Sequence, residues 1–250
     1  MKIGEKIDDA ISMLKDLKIA GQRINGCIAG SCMINGEFDT WDEVPDVDVF
    51  VYSPEWMIAL ACRLYDDGWK FNTAGDEWKF KRCLDFGVSN KAPVNTLKLT
   101  REDDIIINIS YKRYKKTLAD VLASFDMSII MIGYDLKRQV LIDMREGVGM
   151  DGGKVPSSKV MAVPNPLRTQ DCDMYEVSMW VRQFDRVIKY WNRGYDTRPM
   201  ARFYIELIDG VLAKGKLFNT EKAENAYDDF VNTYQPLKDS MVKWLEDKED

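Results

Sequence analysis

The sequence predicts an α+β fold, a small mixed sheet flanked by helices and followed by a helical C-terminal domain. Three observations point there. Short β-prone runs are interleaved with amphipathic helical stretches through residues 1–150. The segment from Glu146 to Pro166 then collects four glycines and three prolines, which reads as a linker or mobile loop. Beyond it the apolar spacing is helical throughout. The expected organisation is a sheet domain over 1–150, a linker over 151–170 and a helical domain over 171–250.

Each element follows from local pattern. Ile7, Ile11, Leu14 and Leu17 recur at helical spacing and open the chain with an amphipathic helix. Ile24 to Gly30 reads as a strand that ends in Gly-Ser. A polar stretch, Asn35 to Pro45, leads into the β-prone run Val47 to Tyr52. Ser53-Pro54-Glu55 starts a helix, with serine as cap and proline in the first turn, and Gly68 ends it. Strands are expected at Trp78–Leu84, Thr96–Leu99 and Ile105–Ile109, then a helix at Leu118–Ser124 and a strand at Met127–Gly133. A turn at Asp135-Leu136-Lys137 makes a hairpin with Val140–Ile142. Helices follow at Met174–Trp191, Pro199–Ala213 and Glu221–Trp244, the last interrupted by Pro236.

Composition narrows the chemistry. At 46% hydrophobic and 30% charged, the chain can bury a core. No apolar run approaches the roughly 20 residues that cross a bilayer, and the N-terminus turns acidic at once, so a cytoplasmic, soluble protein is expected. The five cysteines (Cys27, Cys32, Cys62, Cys83 and Cys172) are scattered without a C-x-x-C pair, which predicts reduced thiols in the core. Histidine is absent. That removes Ser-His-Asp and Cys-His triads and histidine-bound zinc or iron, leaving carboxylates, lysines, a cofactor or an oxygen-bound metal. Magnesium or manganese on aspartates satisfies this restriction. A net charge of −6 argues against a broad duplex-binding surface, though not against local basic patches.

Asp46 and Asp48 are the sharpest feature. Residues two apart in a strand face the same side, so both carboxylates point together while Val47 and Val49 point away. Side by side they repel, and a divalent cation removes the conflict. Such a pair can hold two magnesium ions around a triphosphate. Gly30 lets a phosphate approach the backbone, and Ser31 offers an N–H and a hydroxyl.

Ala29-Gly30-Ser31 followed by Pro45-Asp46-Val47-Asp48-Val49-Phe50 resembles the signature of the DNA polymerase beta-like nucleotidyltransferase superfamily. The resemblance implies a nucleotidyltransferase catalytic sheet, with Gly30 and Ser31 on the triphosphate and Asp46 and Asp48 on the metals. It implies a nucleoside triphosphate partner, magnesium or manganese, and an acceptor such as an RNA end, a small molecule or a protein hydroxyl. The family's third carboxylate sits on a later strand between apolar residues. Ile107-Asn108-Ile109 offers an amide there, whose oxygen can ligate a cation but adds no charge and no base. Asp104 lies about 13 Å back along that strand. A looser resemblance, to nucleotidyltransferase-like proteins of phages and large DNA viruses that share Ser-Phe-Asp after an amide, makes Asp126 a candidate acid. Its other reading is a helix–strand cap.

The helical half carries Arg182, Arg186, Lys189 and Arg193 at i, i+4, i+7 and i+11. The last three are candidate nucleotide contacts, and a solvated helix side is the alternative. Tyr190, Trp191 and Tyr195 are candidates to stack a base, with core packing the alternative for Trp191. Three functions are therefore weighed: transfer of a nucleoside monophosphate to an acceptor hydroxyl, an impaired module that binds nucleotide or RNA without turnover, and a structural or assembly protein whose Asp-x-Asp is accidental.

Overall fold

The computed structural model describes residues 3–34, 46–88, 94–102, 105–145, 162, 164, 174–214 and 221–249. The chain divides into two units: Met1–Phe125 with Ile130–Gly147, and Asp126–Ile129 with Val148–Asp250.

The first unit begins with α1 (Ile3–Asp16), whose Ile7, Ile11 and Leu14 are buried as their spacing predicts. A hairpin of β1 (Lys18–Ile19) and β2 (Gln22–Arg23) follows, turning on Ala20 and Gly21, both at positive φ. Next come β3 (Gly26–Ala29), β4 (Asp46–Val51), α2 (Pro54–Asp66), β5 (Lys70–Phe71), α3 (Ala74–Phe86), β6 (Val94–Thr100) and β7 (Ile106–Lys112). The unit ends with α4 (Leu118–Leu122), β8 (Ile132–Asp135) and β9 (Val140–Asp143). Among the described residues, seven strands form one sheet in the order β5-β6-β7-β4-β3-β8-β9. It is mixed, because β4 and β7 run parallel while the other pairings are antiparallel. The α+β expectation holds.

One face of that sheet fixes the position of the other. Val47, Val49 and Val51 of β4, Ile107 and Ile109 of β7, and Leu97 and Leu99 of β6 form one buried cluster with α1 and α2. Burying each such side chain is worth about 1.5–3 kcal/mol. A one-residue slip of β4 would exchange these valines for Asp46 and Asp48, so core burial holds both acids on the opposite face. On that opposite face α4 packs against β3 and β8, with Leu118 over Gly133.

Several local expectations are corrected. Trp78–Leu84 lies inside helix α3, not in a strand. Thr73 caps this helix by accepting from the Asp76 N–H, and Asp76 and Glu77 occupy its first turn. Ser53 sits at the N-cap of α2 but makes no side-chain cap bond. Met127–Gly133 is not one strand: Met127 bridges Pro164, Ser128–Ile130 forms a 3-10 turn, and β8 starts only at Ile132. The strands β1, β2 and β5 are too short to show in the pattern. The proposed loop Glu146–Pro166 lies outside the described residues apart from Ala162 and Pro164.

The second unit contains α5 (Met174–Val181), α6 (Phe184–Asn192), α7 (Arg198–Lys214) and α8 (Glu221–Glu249). The expected helix Met174–Trp191 is two helices, broken where the Gln183 N–H turns back to the Trp180 carbonyl. Pro236 lies inside α8 without ending it. Edge-to-face aromatic pairs fill the interior: Trp180 on Phe203, Phe184 on Trp244 and Trp191 on Trp244.

Candidate active site

The site is assembled from three neighbouring strands of the first unit. At the end of β3 the chain turns through Gly30 at φ +96°, a conformation that favours glycine. A Cβ there would stand 3.4 Å from an Asp48 carboxylate oxygen and 3.9 Å from the Phe125 ring. The turn is held by the Gly30 N–H on the Ile132 carbonyl, 3.3 Å, and by the Met33 N–H on the Gly30 carbonyl, 3.0 Å. Ser31 follows at once, half-buried, at the head of a 3-10 turn (Ser31–Ile34).

Asp46 and Asp48 are both half-buried, and Asn108 joins them. In the parallel register of β4 and β7, Asn108 stands across from Asp48. Its amide nitrogen donates to Asp46 at 2.7 Å and to Asp48 at 3.0 Å. Asn108 is only 6% exposed, and its Oδ1 has no hydrogen-bond partner among the described residues. A buried acceptor left so is costly, by about 1–3 kcal/mol. The two ends of a carboxamide have the same shape, so a half-turn about the Cγ bond presents Oδ1 to the carboxylates instead. With the nitrogen inward, Asn108 offsets their mutual repulsion; with the oxygen inward, the three side chains form an all-oxygen donor set. No cluster of three His, Cys, Asp or Glu that could hold a metal ion occurs among the described residues, and Asn108 is the neutral side chain that joins the two acids. Asp104 lies outside the described residues.

The same sheet face carries residues that sequence reasoning did not single out. Lys98 of β6, exposed, pairs directly with Asn108. Thr96 and Ser110 share a hydrogen bond of 3.0 Å at the next pair on that face, beyond Leu97 and Ile109. Lys112 lies over the Phe50 and Phe125 rings and donates to Ser124. The alternation Thr96-Leu97-Lys98-Leu99-Thr100 was the available signal: its buried leucines place Lys98 opposite the core. Cys32 also lies close by, but burial, with the charges of Asp48 and Asp46 added, pushes its thiol far up and keeps it neutral.

The other predicted site residues belong to the second unit. Asp126 is buried and accepts from Arg186 Nη1 through both oxygens, at 2.8 and 2.7 Å. The cationic stripe is not one ridge. Arg182 sits in the break between α5 and α6 with its Nε on the Tyr234 hydroxyl, 3.3 Å. Arg186 and Lys189 are partly exposed on α6, and Arg193 is buried beyond its end with the guanidinium over Tyr190. Tyr190 and Tyr195 are each 2% exposed and pack edge to face, so they are core residues rather than base-stacking surfaces. Trp191 packs on Trp244 beneath Arg198.

No family model and no curated protein matches the chain. Solved structures do resemble it in fold. One is a tRNA-processing enzyme (apo form I), 15% identical at a TM-score of 0.51, covering 95% of this chain and 58% of its own. Another is a tRNA-processing enzyme with CTP, 12% identical at a TM-score of 0.43, covering 97% of this chain and 57% of its own. The chain thus spans less than two thirds of the length of the structures it resembles. No helix among the described residues is long and apolar enough to cross a membrane.

Proposed function

We propose that this chain is a metal-dependent nucleotidyltransferase that moves a nucleoside monophosphate from a nucleoside triphosphate to an acceptor hydroxyl. The observation that carries the reading is the convergence of Asp46, Asp48 and Asn108 beside the positive-φ turn at Gly30. An RNA end, such as that of a tRNA, is favoured over a protein side chain, in keeping with the fold shared with a tRNA-processing enzyme.

The donor set fits magnesium or manganese: the two carboxylates are hard oxygen ligands, and Asn108 Oδ1, buried and without a partner among the described residues, joins them when the amide turns over. Asp46, Asp48 and Asn108 would hold the ion, which when bound supplies positive charge to the triphosphate and makes an acceptor hydroxyl easier to ionise. Gly30 lets a phosphate approach the backbone, and Ser31 orients it through its N–H and hydroxyl. Lys98 offers a further positive charge on the same face. The acceptor oxygen forms a bond to the α-phosphorus, the α–β bridging P–O bond breaks, pyrophosphate leaves, and the hydroxyl proton passes to solvent. The reading also assigns Asp126 as a further acid, and Arg186, Lys189 and Arg193 as nucleotide contacts.

A second reading is a module that binds nucleotide or RNA without turnover. Asn108 favours it, because its amide already offsets the acid pair and replaces a third carboxylate. Incubation of labelled ATP, CTP, GTP and UTP with the protein, magnesium and total RNA separates the two. Label incorporated by the wild type but not by Asp46→Ala/Asp48→Ala supports transfer and names the donor. Equal incorporation by the double variant removes the site assignment. Magnesium-dependent nucleotide binding without incorporation establishes the second reading.

A further inference from the structure

In a chain of net charge −6, the stretch from Ile105 to Ala119 carries four cationic residues and no acid. Lys112 ends β7, and Arg113, Lys115 and Lys116 follow in the turn, with Tyr114 among them. The turn is closed by the Lys115 N–H on the Lys112 carbonyl, 3.0 Å. It is anchored at both ends, by Lys112 on Ser124 and by Lys116 on the Tyr52 carbonyl. Its tip is presented outward. Tyr114 is 74% exposed, and the exposed Arg113 guanidinium lies 5.2 Å from its ring centre. Acids near the turn among the described residues include Asp120, which accepts from the Lys116 and Thr117 N–H groups, and Glu55, beside Lys116.

A single exposed tyrosine is unremarkable on a protein surface. Here it is set among fixed cations in an otherwise acidic protein, and the strand beneath it leads to the acid pair. Asn108, Ser110 and Lys112 share one face of β7, so Lys112 lies about 13 Å along the strand from Asn108.

We propose that the turn Lys112–Lys116 is the docking point for a single-stranded polynucleotide acceptor, with Arg113 and Lys115 on the phosphates and Tyr114 stacked on a base. The inference rests on the transferase reading of the acid pair. Sequence-tolerant strand binding combines just these elements, cations that follow the backbone and an aromatic ring that stacks.

The test is fluorescence anisotropy of a labelled single-stranded RNA oligonucleotide, with a DNA strand of the same sequence as a second arm. The proteins are wild type, Arg113→Glu/Lys115→Glu and Tyr114→Ala. The charge reversal is expected to weaken binding by about tenfold or more and to lower the salt slope by about one to two. Tyr114→Ala is expected to weaken it about fivefold or more with the salt slope unchanged. Magnesium–nucleotide stabilisation, read by thermal shift on the same samples, reports separately on the acid pair. Its absence from wild type counts against the transferase reading, whatever the strand does. Wild-type strand binding by both variants overturns the docking proposal, as does absence of strand binding by wild type. Displacement of the strand by an acidic peptide of equal charge, unaffected by Tyr114→Ala, overturns it in favour of a protein partner.

Discussion

Asn108 stands across the parallel strands from Asp48, and its amide nitrogen lies 3.0 Å from that carboxylate while also reaching Asp46 at 2.7 Å. An amide at this position makes the acid pair tolerable without a cation, which a third carboxylate would not. Asn108→Asp is therefore expected to remove two hydrogen bonds and to add a third negative charge, this one buried. In chelator the variant should lose about 3–5 kcal/mol. Magnesium or manganese should restore more stability to it than to wild type, because the added charge raises the cation's affinity. Thermal melts with chelator and with each ion check this. Equal melting temperatures in chelator would show that Asn108 does not hold the pair.

Gly30→Ala tests the turn that precedes the acids. At φ +96° an alanine is strained by about 1–2 kcal/mol. Its Cβ would also stand 3.4 Å from Asp48, in the space proposed for a phosphate. A melting temperature lower by several degrees, together with loss of nucleotide-dependent stabilisation, is expected. A variant that melts like wild type and still responds to nucleotide would remove Gly30 from the site.

How much of this was legible in the sequence differs residue by residue. The facing of Asp46 and Asp48 was legible, because alternation with Val47 and Val49 is a local property of a strand. The role of Asn108 was only half legible: its type was visible, but its contact with both acids depends on the parallel register of β4 and β7, which joins segments about 60 positions apart. Lys98 was overlooked although its alternation was as clean as that of the acids. Trp78–Leu84 misled because Trp78-Lys79-Phe80-Lys81 alternates like a strand, while the Thr73 cap and the first-turn acids Asp76 and Glu77 carried the helix signal. The cationic stripe assumed one continuous helix, and the break after Val181 ends that periodicity.

Asp196 gives a pH prediction within the second unit. A hydrogen bond from the Arg198 side chain, helped by the Arg198 N–H, holds its carboxyl below the ordinary aspartate range. A depressed folded value means the contribution is complete above the unfolded value of about 3.9 and is lost as pH falls through the folded one. Both groups are partly exposed, so about 1 kcal/mol or less is involved. Asp196→Asn should lower the urea midpoint at neutral pH and flatten its fall in acid. An unchanged difference from wild type between pH 7 and pH 3 would exclude the linkage.

The Asp126–Arg186 pair separates support from function because its partners differ in exposure. Asp126 is 6% exposed and Arg186 33%. Arg186→Met strands a buried carboxylate and is expected to cost about 3 kcal/mol, whereas Asp126→Asn leaves a guanidinium that water can reach and should cost less. The double variant should recover part of the Arg186→Met loss, which a double-mutant cycle measures by urea unfolding. Nucleotide response then distinguishes the assigned roles. If Arg186 contacts nucleotide, Arg186→Met loses magnesium–nucleotide stabilisation even after its stability loss is allowed for, and Asp126→Asn keeps it. If Asp126 acts as an acid in transfer, Asp126→Asn keeps nucleotide binding and loses incorporation. Variants that follow stability alone, with nucleotide response and incorporation both retained, would assign the pair to holding Asp126 against α6 and nothing more.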